Sequence, residues 1–282
     1  MKILIGGVRG GSPVADAAFL RYGGDTTALL VEAEDGGRII VDGGTGLRQI
    51  GERLRGADRS RPLHMLFTHF HHDHISGLPS FMLMYEPDWN MTFASRMLGG
   101  CTIEDIMKIL VAPPFWPLRH DQFNPAKQFR VLEDERIDSP ETIGSLEVRW
   151  CPAHHPGGST AFRFDEPATG ASVVMATDIE WSESTEAEQD AFRRLCTTPG
   201  APGLMLFDGI CARRDYEPYR GWGHSTWEEG IELAKECGAG RLLITHHQTE
   251  NDDATLDRMR EEIRSAWPNA DLARQGEEES IQ

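Results

Sequence analysis

The sequence predicts a mixed α/β fold in one domain, on three observations. Short apolar runs rich in Val and Ile recur between turn signals, amphipathic helical patterns lie between them, and no Pro-, Gly- or Ser-rich linker divides the chain. The runs read as strands are Lys2 to Ile5, Ala28 to Glu32, Arg38 to Val41, Met65 to Thr68, Leu146 to Cys151, Ala161 to Phe164, Ser172 to Ala176, Leu204 to Phe207 and Leu242 to Thr245. Helix Thr226 to Cys237 follows from Ser225 and Thr226 standing three residues before Glu228 and Glu229, the spacing of a capping box, with Trp227, Ile231 and Ala234 as its apolar stripe. A second helix carries Leu256, Met259 and Ile263 after the polar start Asn251, Asp252 and Asp253.

Residues 1–282 therefore read as a single domain. Within it, residues 79–125 have the least regular pattern, with Trp89, Phe115, Trp116 and Pro117 among turn residues, and are expected to form a loop-rich insertion beside the site. Residues 273–282 are acidic with little to bury, which predicts a flexible tail.

Composition narrows the function classes. The chain has 282 residues, 39% of them hydrophobic, enough for a well-buried core. Its 28 Lys plus Arg against 45 Asp plus Glu leave a net charge of −17, which disfavours long nucleic acid, since that binding is driven by phosphate neutralisation. A small anion is not excluded, because bound metal ions would place positive potential inside an acidic protein. The five cysteines are odd in number and scattered, as expected of a reducing compartment. MKILIGGVRGGSP reads as a first strand rather than a signal peptide, and no apolar run approaches the roughly 20 residues that span a bilayer. The expectation is a cytoplasmic protein without a membrane segment.

One short segment concentrates metal-ligand chemistry. His69, His71, His72, Asp73 and His74 follow directly on an apolar strand. Residues two apart in an extended chain point the same way, so His69 and His71 suit one metal, while a turn at Asp73 and His74 directs two more ligands to a second. Further candidates end other apolar runs: His154 or His155, Asp178, and His246 or His247. A solvated histidine tract is the bland alternative, and the number of groups at strand ends argues against it. Asp42, closing a strand in VDGG, either orients a ligand histidine or caps a turn.

The string THFHHDH resembles the THxHxDH signature of the metallo-β-lactamase superfamily, and IIVDGGTG, AHHPGGS, MATD and ITHHQ match its remaining pieces in order. The resemblance implies a four-layer αββα sandwich with a dinuclear metal site at one edge of its two sheets. It implies His69, His71 and His155 on a first zinc, Asp73, His74 and His246 on a second, and Asp178 between them. His155 is preferred to His154 because the resembling sequences place the ligand directly before Pro-Gly, and His246 to His247 because it directly follows the strand and its Thr. Two Zn2+ per chain are expected, with Mn2+ or Fe acceptable to the same donors.

Two more segments resemble the ribonuclease Z and cyclic-nucleotide phosphodiesterase branch. RGGSP and YGGDT are similar to its RGSxP and YGGNT opening, with Asp25 in place of the usual Asn. GHST is similar to its HST segment, in which a histidine assists phosphodiester cleavage; that residue is His224, with Asp208 as the group that orients it. The catalytic residues implied are thus Asp73, His224 and Asp208. Paired divalent ions bring the pKa of a shared water to about 7, so hydrolysis by a metal-bridging hydroxide is the expected reaction. The acidic charge favours a small phosphodiester, such as a cyclic nucleotide or cyclic dinucleotide, over transfer RNA. Phe115, Trp116 and Tyr85 are read either as base-stacking residues or as core under a loop. The alternatives are a carbonyl hydrolase acting on a lactone, thioester or β-lactam, a tRNA 3′-end endonuclease, and a non-catalytic metal-binding regulator. The resemblance also implies a homodimer.

Overall fold

Runs such as Ile3 to Ile5 and Ala28 to Val31 are apolar at successive positions because their sheet is covered on both faces. The computed structural model describes residues 1–281. Strands β1 (Lys2–Gly7), β2 (Ala28–Glu32), β3 (Arg38–Val41), β4 (Leu63–Phe67), β5 (Asn90–Ser95) and β6 (Ala126–Val131) build one sheet. A second sheet contains β7 (Arg136–Ile143), β8 (Leu146–Ala153), β9 (Ser159–Glu166), β10 (Ala171–Ala176), β11 (Leu204–Asp208), β12 (Arg241–Thr245) and β13 (Ala270–Leu272). A last strand, β14 (Glu278–Ser280), joins the first sheet beside β1. The orders are β14-β1-β2-β3-β4-β5-β6 and β13-β12-β11-β10-β9-β8-β7.

Strand period sorts the side chains into layers. Ile3, Ile5, Leu29, Val31, Ile39 and Val41 point between the sheets and meet Val148, Trp150, Phe162, Phe164, Val173 and Met175. Their neighbours Leu4, Leu30 and Ile40 point outward into a second core beneath α1 (Leu47–Leu54) and, past the short α2 (His72–Ile75), α3 (Ile103–Leu110). On the other side α4 (Glu186–Thr197), α5 (Trp227–Glu236) and α6 (Asp253–Ala266) cover Cys151, Val174, Met205 and Phe207. The result is the αββα sandwich that the sequence implies. Each fully buried aromatic in the central layer contributes about 2 kcal/mol by leaving water.

Helix α5 begins where its capping box places it: Thr226 Oγ1 accepts from the Glu229 amide at 3.3 Å, and Glu229 Oε2 accepts from the Thr226 amide at 2.8 Å. Two expectations are corrected. Residues 79–125 are rich in turns but are not an insertion outside the fold, because β5 lies between β4 and β6 in the first sheet and α3 packs on it. Nor does the acidic end fray: β14 pairs antiparallel with β1, Arg241 forms two hydrogen bonds to Glu279 at 2.6 and 3.0 Å, and Ile281 enters the central core. Backbone pairing and one apolar anchor outweigh the polar composition there.

Candidate metal centre

The strands β1, β3, β4, β8, β10, β11 and β12 all end at one edge, and the loops leaving them carry the polar residues of the site. Asp42, Asp178 and His246, each the first or second residue beyond its strand, have φ of 63°, 57° and 63°. The left-handed conformation costs a non-glycine residue about 1–2 kcal/mol, and here it turns each side chain across the sheet edge.

The structure brings the seven expected ligands together in two adjoining sets. His69, His71 and His155 form one, and Asp73, His74, Asp178 and His246 the other. Asp178 stands between them: Oδ2 lies 3.0 Å from His74 Nε2 and 3.2 Å from His246 Nδ1, while Oδ1 lies 3.8 Å from His69 Nε2 and 3.9 Å from His155 Nε2. Four donors held about 2.1 Å from one ion in a tetrahedron lie about 3.4 Å apart, within the range of these separations.

Orphaned buried atoms identify what the cluster fits. His69 Nε2, His74 Nε2, His246 Nδ1 and Asp178 Oδ2 are buried and have no hydrogen-bond partner. Leaving such groups unpaired is costly, so a cation that takes their lone pairs suits them better than any arrangement of the side chains alone. The opposite ring nitrogens of His69 and His74, and one nitrogen of His155, are already engaged. His74 Nδ1 meets Asp42 Oδ2 at 2.8 Å, His155 Nδ1 donates to the Gly223 carbonyl at 2.8 Å, and His69 Nδ1 meets Thr68 Oγ1 at 3.1 Å. These contacts fix each ring with its other nitrogen toward the centre. Asp42 thus orients His74 and also receives the Thr68 amide and hydroxyl, both at 2.8 Å.

Electrostatics match that reading. Burial pushes His69 well below its ordinary pKa and His155 down to about 4, so both are neutral donors of lone pairs. His74 is buried too, yet Asp178, Asp73 and Asp42 outweigh burial and hold it well above the ordinary value. Three carboxylates around one imidazole are a surplus of negative charge suited to divalent cations.

His224 Nδ1 lies 2.8 Å from Asp208 Oδ2 and 3.9 Å from Asp178 Oδ1. Burial alone would lower its pKa, but Asp208, Asp178 and Asp73 hold it up to about 9. The undecided neighbours fall outside the cluster. His154 points to Glu188 at 3.2 Å, and His247 Nε2 donates to the Ala273 carbonyl at 2.9 Å, its pKa pushed down to about 3 by burial.

Several residues at the site gave no signal that a sequence reading would use. The Gly11 amide donates to Asp73 Oδ2 at 2.8 Å. Buried Glu180 receives the amides of Gly221 and Gly223 at 2.5 and 2.8 Å, which holds the Gly223 carbonyl under His155. A lone carboxylate two residues after Asp178 was the only hint. Gly223 has φ +92°, and a Cβ there would lie 2.0 Å from His155 Nδ1. Of the two readings of the aromatics, core under a loop fits Tyr85 and Trp116: Trp116 Nε1 donates to Tyr85 Oη at 3.0 Å and both rings pack on the outer core, while Phe115 is exposed. Tyr219 and Trp222 instead line a 280 Å³ cleft with His224 and His246, while Phe70, Leu98 and Ile106 line a 210 Å³ cleft beside His69 and His71.

Histidine and aspartate sets at the carboxyl edge of an αββα sandwich define a metallohydrolase centre. The chain belongs to the beta-lactamase superfamily: the family's model, described as a beta-lactamase superfamily domain, matches residues 37–247. It is similar to ribonuclease Z of Methanopyrus kandleri, 24% identical over 277 aligned residues covering 88% of each chain. Among solved structures it is similar to the metallo-beta-lactamase fold protein YhfI from Bacillus subtilis, with TM-score 0.70, 18% identity and 99% of both chains covered. Unliganded yeast PDE1 has TM-score 0.70, 17% identity and 98% of both chains covered. The chain is a metal-dependent hydrolase of this fold. No helix among the described residues is long and apolar enough to cross a membrane.

Proposed function

We propose that the protein is a dinuclear zinc phosphodiesterase acting on a small phosphodiester, such as a cyclic nucleotide or cyclic dinucleotide. The observation that carries this reading is the His224–Asp208 pair, joined at 2.8 Å, with His224 3.9 Å from Asp178 and lining a cleft together with His246. His69, His71 and His155 would hold one ion, Asp73, His74 and His246 the other, and Asp178 would face both. When bound, two divalent cations supply Lewis acidity and an acidified water near neutral pH.

The remaining roles belong to the chain. Asp208 holds the His224 Nδ1 proton, which leaves Nε2–H to donate to the departing oxygen. Asp42, Thr68 and the Gly223 carbonyl keep the ligand imidazoles in one tautomer. Asp73 is fixed in turn by the Gly11 amide. The names ribonuclease Z and PDE1 of similar proteins support phosphodiester chemistry, and the net charge of −17 supports a small substrate over folded RNA. The test is a panel of cyclic nucleotides, bis-p-nitrophenyl phosphate, a tRNA precursor, a lactone and nitrocefin, assayed with protein of measured metal content. Turnover of small diesters that an Asp178→Ala variant loses supports the reading; turnover confined to the carbonyl compounds or to the tRNA precursor rejects it.

A further inference from the structure

The cleft beside His224 does not end at the metal centre. Ile210, Tyr219 and Gln248 line it and also line a larger cavity of about 610 Å³, so the two spaces share a wall. The far wall of the larger cavity is one face of α6, where Thr255, Arg258, Met259 and Glu262 recur at helical spacing. A ligand confined to the 280 Å³ cleft would be smaller than those that ordinary binding pockets of about 300–1,000 Å³ accept. The two spaces together accommodate a longer molecule.

The cavity holds unspent polar groups. Arg214 is committed, with its guanidinium on both oxygens of Glu262 at 2.9 and 3.0 Å. Arg258, exposed at the cavity's rim, is not: among the described residues no carboxylate lies within 4.0 Å of it, and its guanidinium donates only to Thr255 Oγ1 at 3.0 Å. Trp227, 6% exposed and part of the lining, has a buried indole N–H without an acceptor. Buried Arg9 grips the Gln248 and Asn251 carbonyls at 2.9 and 2.7 Å, which fixes the backbone of this wall. Tyr219 and Trp222 pack edge to face with centroids 5.7 Å apart; both line the cleft, and Tyr219 also lines the larger cavity.

We propose that this cavity is a second binding site for the part of the substrate beyond the scissile bond, a nucleotide unit bearing its own phosphate. The proposal rests on the phosphodiesterase reading and selects within it: a dinucleotide fills cleft and cavity, whereas a cyclic mononucleotide fills the cleft alone. The second phosphate meets Arg258, whose planar fork suits it.

The experiment compares a 5′-phosphorylated guanosine dinucleotide, cyclic GMP and bis-p-nitrophenyl phosphate as substrates of the metal-analysed wild-type protein, Arg258→Ala and Met259→Trp, the last of which fills the cavity. Calorimetric binding of the dinucleotide's phosphorothioate analogue gives a second readout. The expected wild-type kcat/KM for the dinucleotide exceeds that for cyclic GMP about tenfold, and either variant raises the dinucleotide KM relative to that of bis-p-nitrophenyl phosphate about tenfold, the scale of one charge-assisted contact. Equal turnover of dinucleotide and cyclic GMP, or unchanged KM ratios in both variants, overturns the proposal. If wild type cleaves no diester yet binds the analogue in an Arg258-dependent way, the phosphodiesterase reading falls and the cavity stands. Analogue binding indifferent to both variants removes the cavity whatever the hydrolysis shows.

Discussion

At the scale of single residues, His224 offers the sharpest separation of roles. A proton donor matters in proportion to the basicity of the leaving oxygen, so His224→Ala should lower kcat about 100-fold or more on a nucleotide diester. The same variant should lose far less on bis-p-nitrophenyl phosphate, because p-nitrophenolate departs without a proton. Equal losses on the two substrates would remove His224 from proton transfer and leave it a structural role. Gly223 makes a different prediction. Any side chain there strains a φ of +92° and overlaps the His155 ring, so Gly223→Ala should displace that imidazole and reduce bound metal per chain. Elemental analysis of a folded variant checks it; wild-type metal content would mean that His155 is dispensable for binding.

At the scale of elements, α6 is locked to β13 by Asp271, whose carboxylate receives Arg260 and Arg264, each at 2.8 Å on Oδ2. Burial alone would raise its pKa, but the arginines and the Leu272 amide outweigh burial and hold it below the usual carboxylate value. A carboxyl with a depressed folded pKa stabilises above its unfolded value near 3.9, and the contribution disappears as pH falls through the folded value. Asp271→Asn should therefore cost about 1–2 kcal/mol at pH 7 and progressively less as pH falls through the depressed folded value, measured as the difference in urea midpoints. A constant difference across that range would mean that the clamp does not depend on charge. The elements also separate what a sequence reveals from what it hides. His69 to His74 were legible because ligand chemistry is compressed into six residues after an apolar strand, and Asp178 and His246 because each closes such a strand. Strand β6, AKQFRV, is half-exposed and charged, β7 contains Pro140, and β14 is acidic; their strand state depends on neighbours supplied from elsewhere in the chain. Asp208 and His224 could be paired only by resemblance, since the contact that joins them spans 16 residues and depends on how the β11 loop returns to α5.

At the scale of the whole molecule, the site concentrates charge that the fold cannot compensate by itself. Asp42, Asp73, Asp178 and Asp208 are at most 5% exposed, in a chain that already carries a net −17. Bringing these carboxylates together opposes folding, and cations bound only by the folded chain offset that cost by mass action. At a free metal concentration about 1,000 times Kd, one bound ion adds about 4 kcal/mol. For a domain of this size that stabilisation corresponds to a shift on the order of 10 °C. Chelator treatment, which removes both ions, should thus lower Tm by at least that amount, and stoichiometric Zn2+ should restore it. Raising the salt concentration should recover part of the loss in the chelated protein, because screening weakens the repulsion among the remaining acidic groups at the surface. A Tm indifferent to chelator would mean that the histidine and aspartate cluster closes without a cation. The orphaned atoms His69 Nε2, His74 Nε2 and Asp178 Oδ2 would then require another partner.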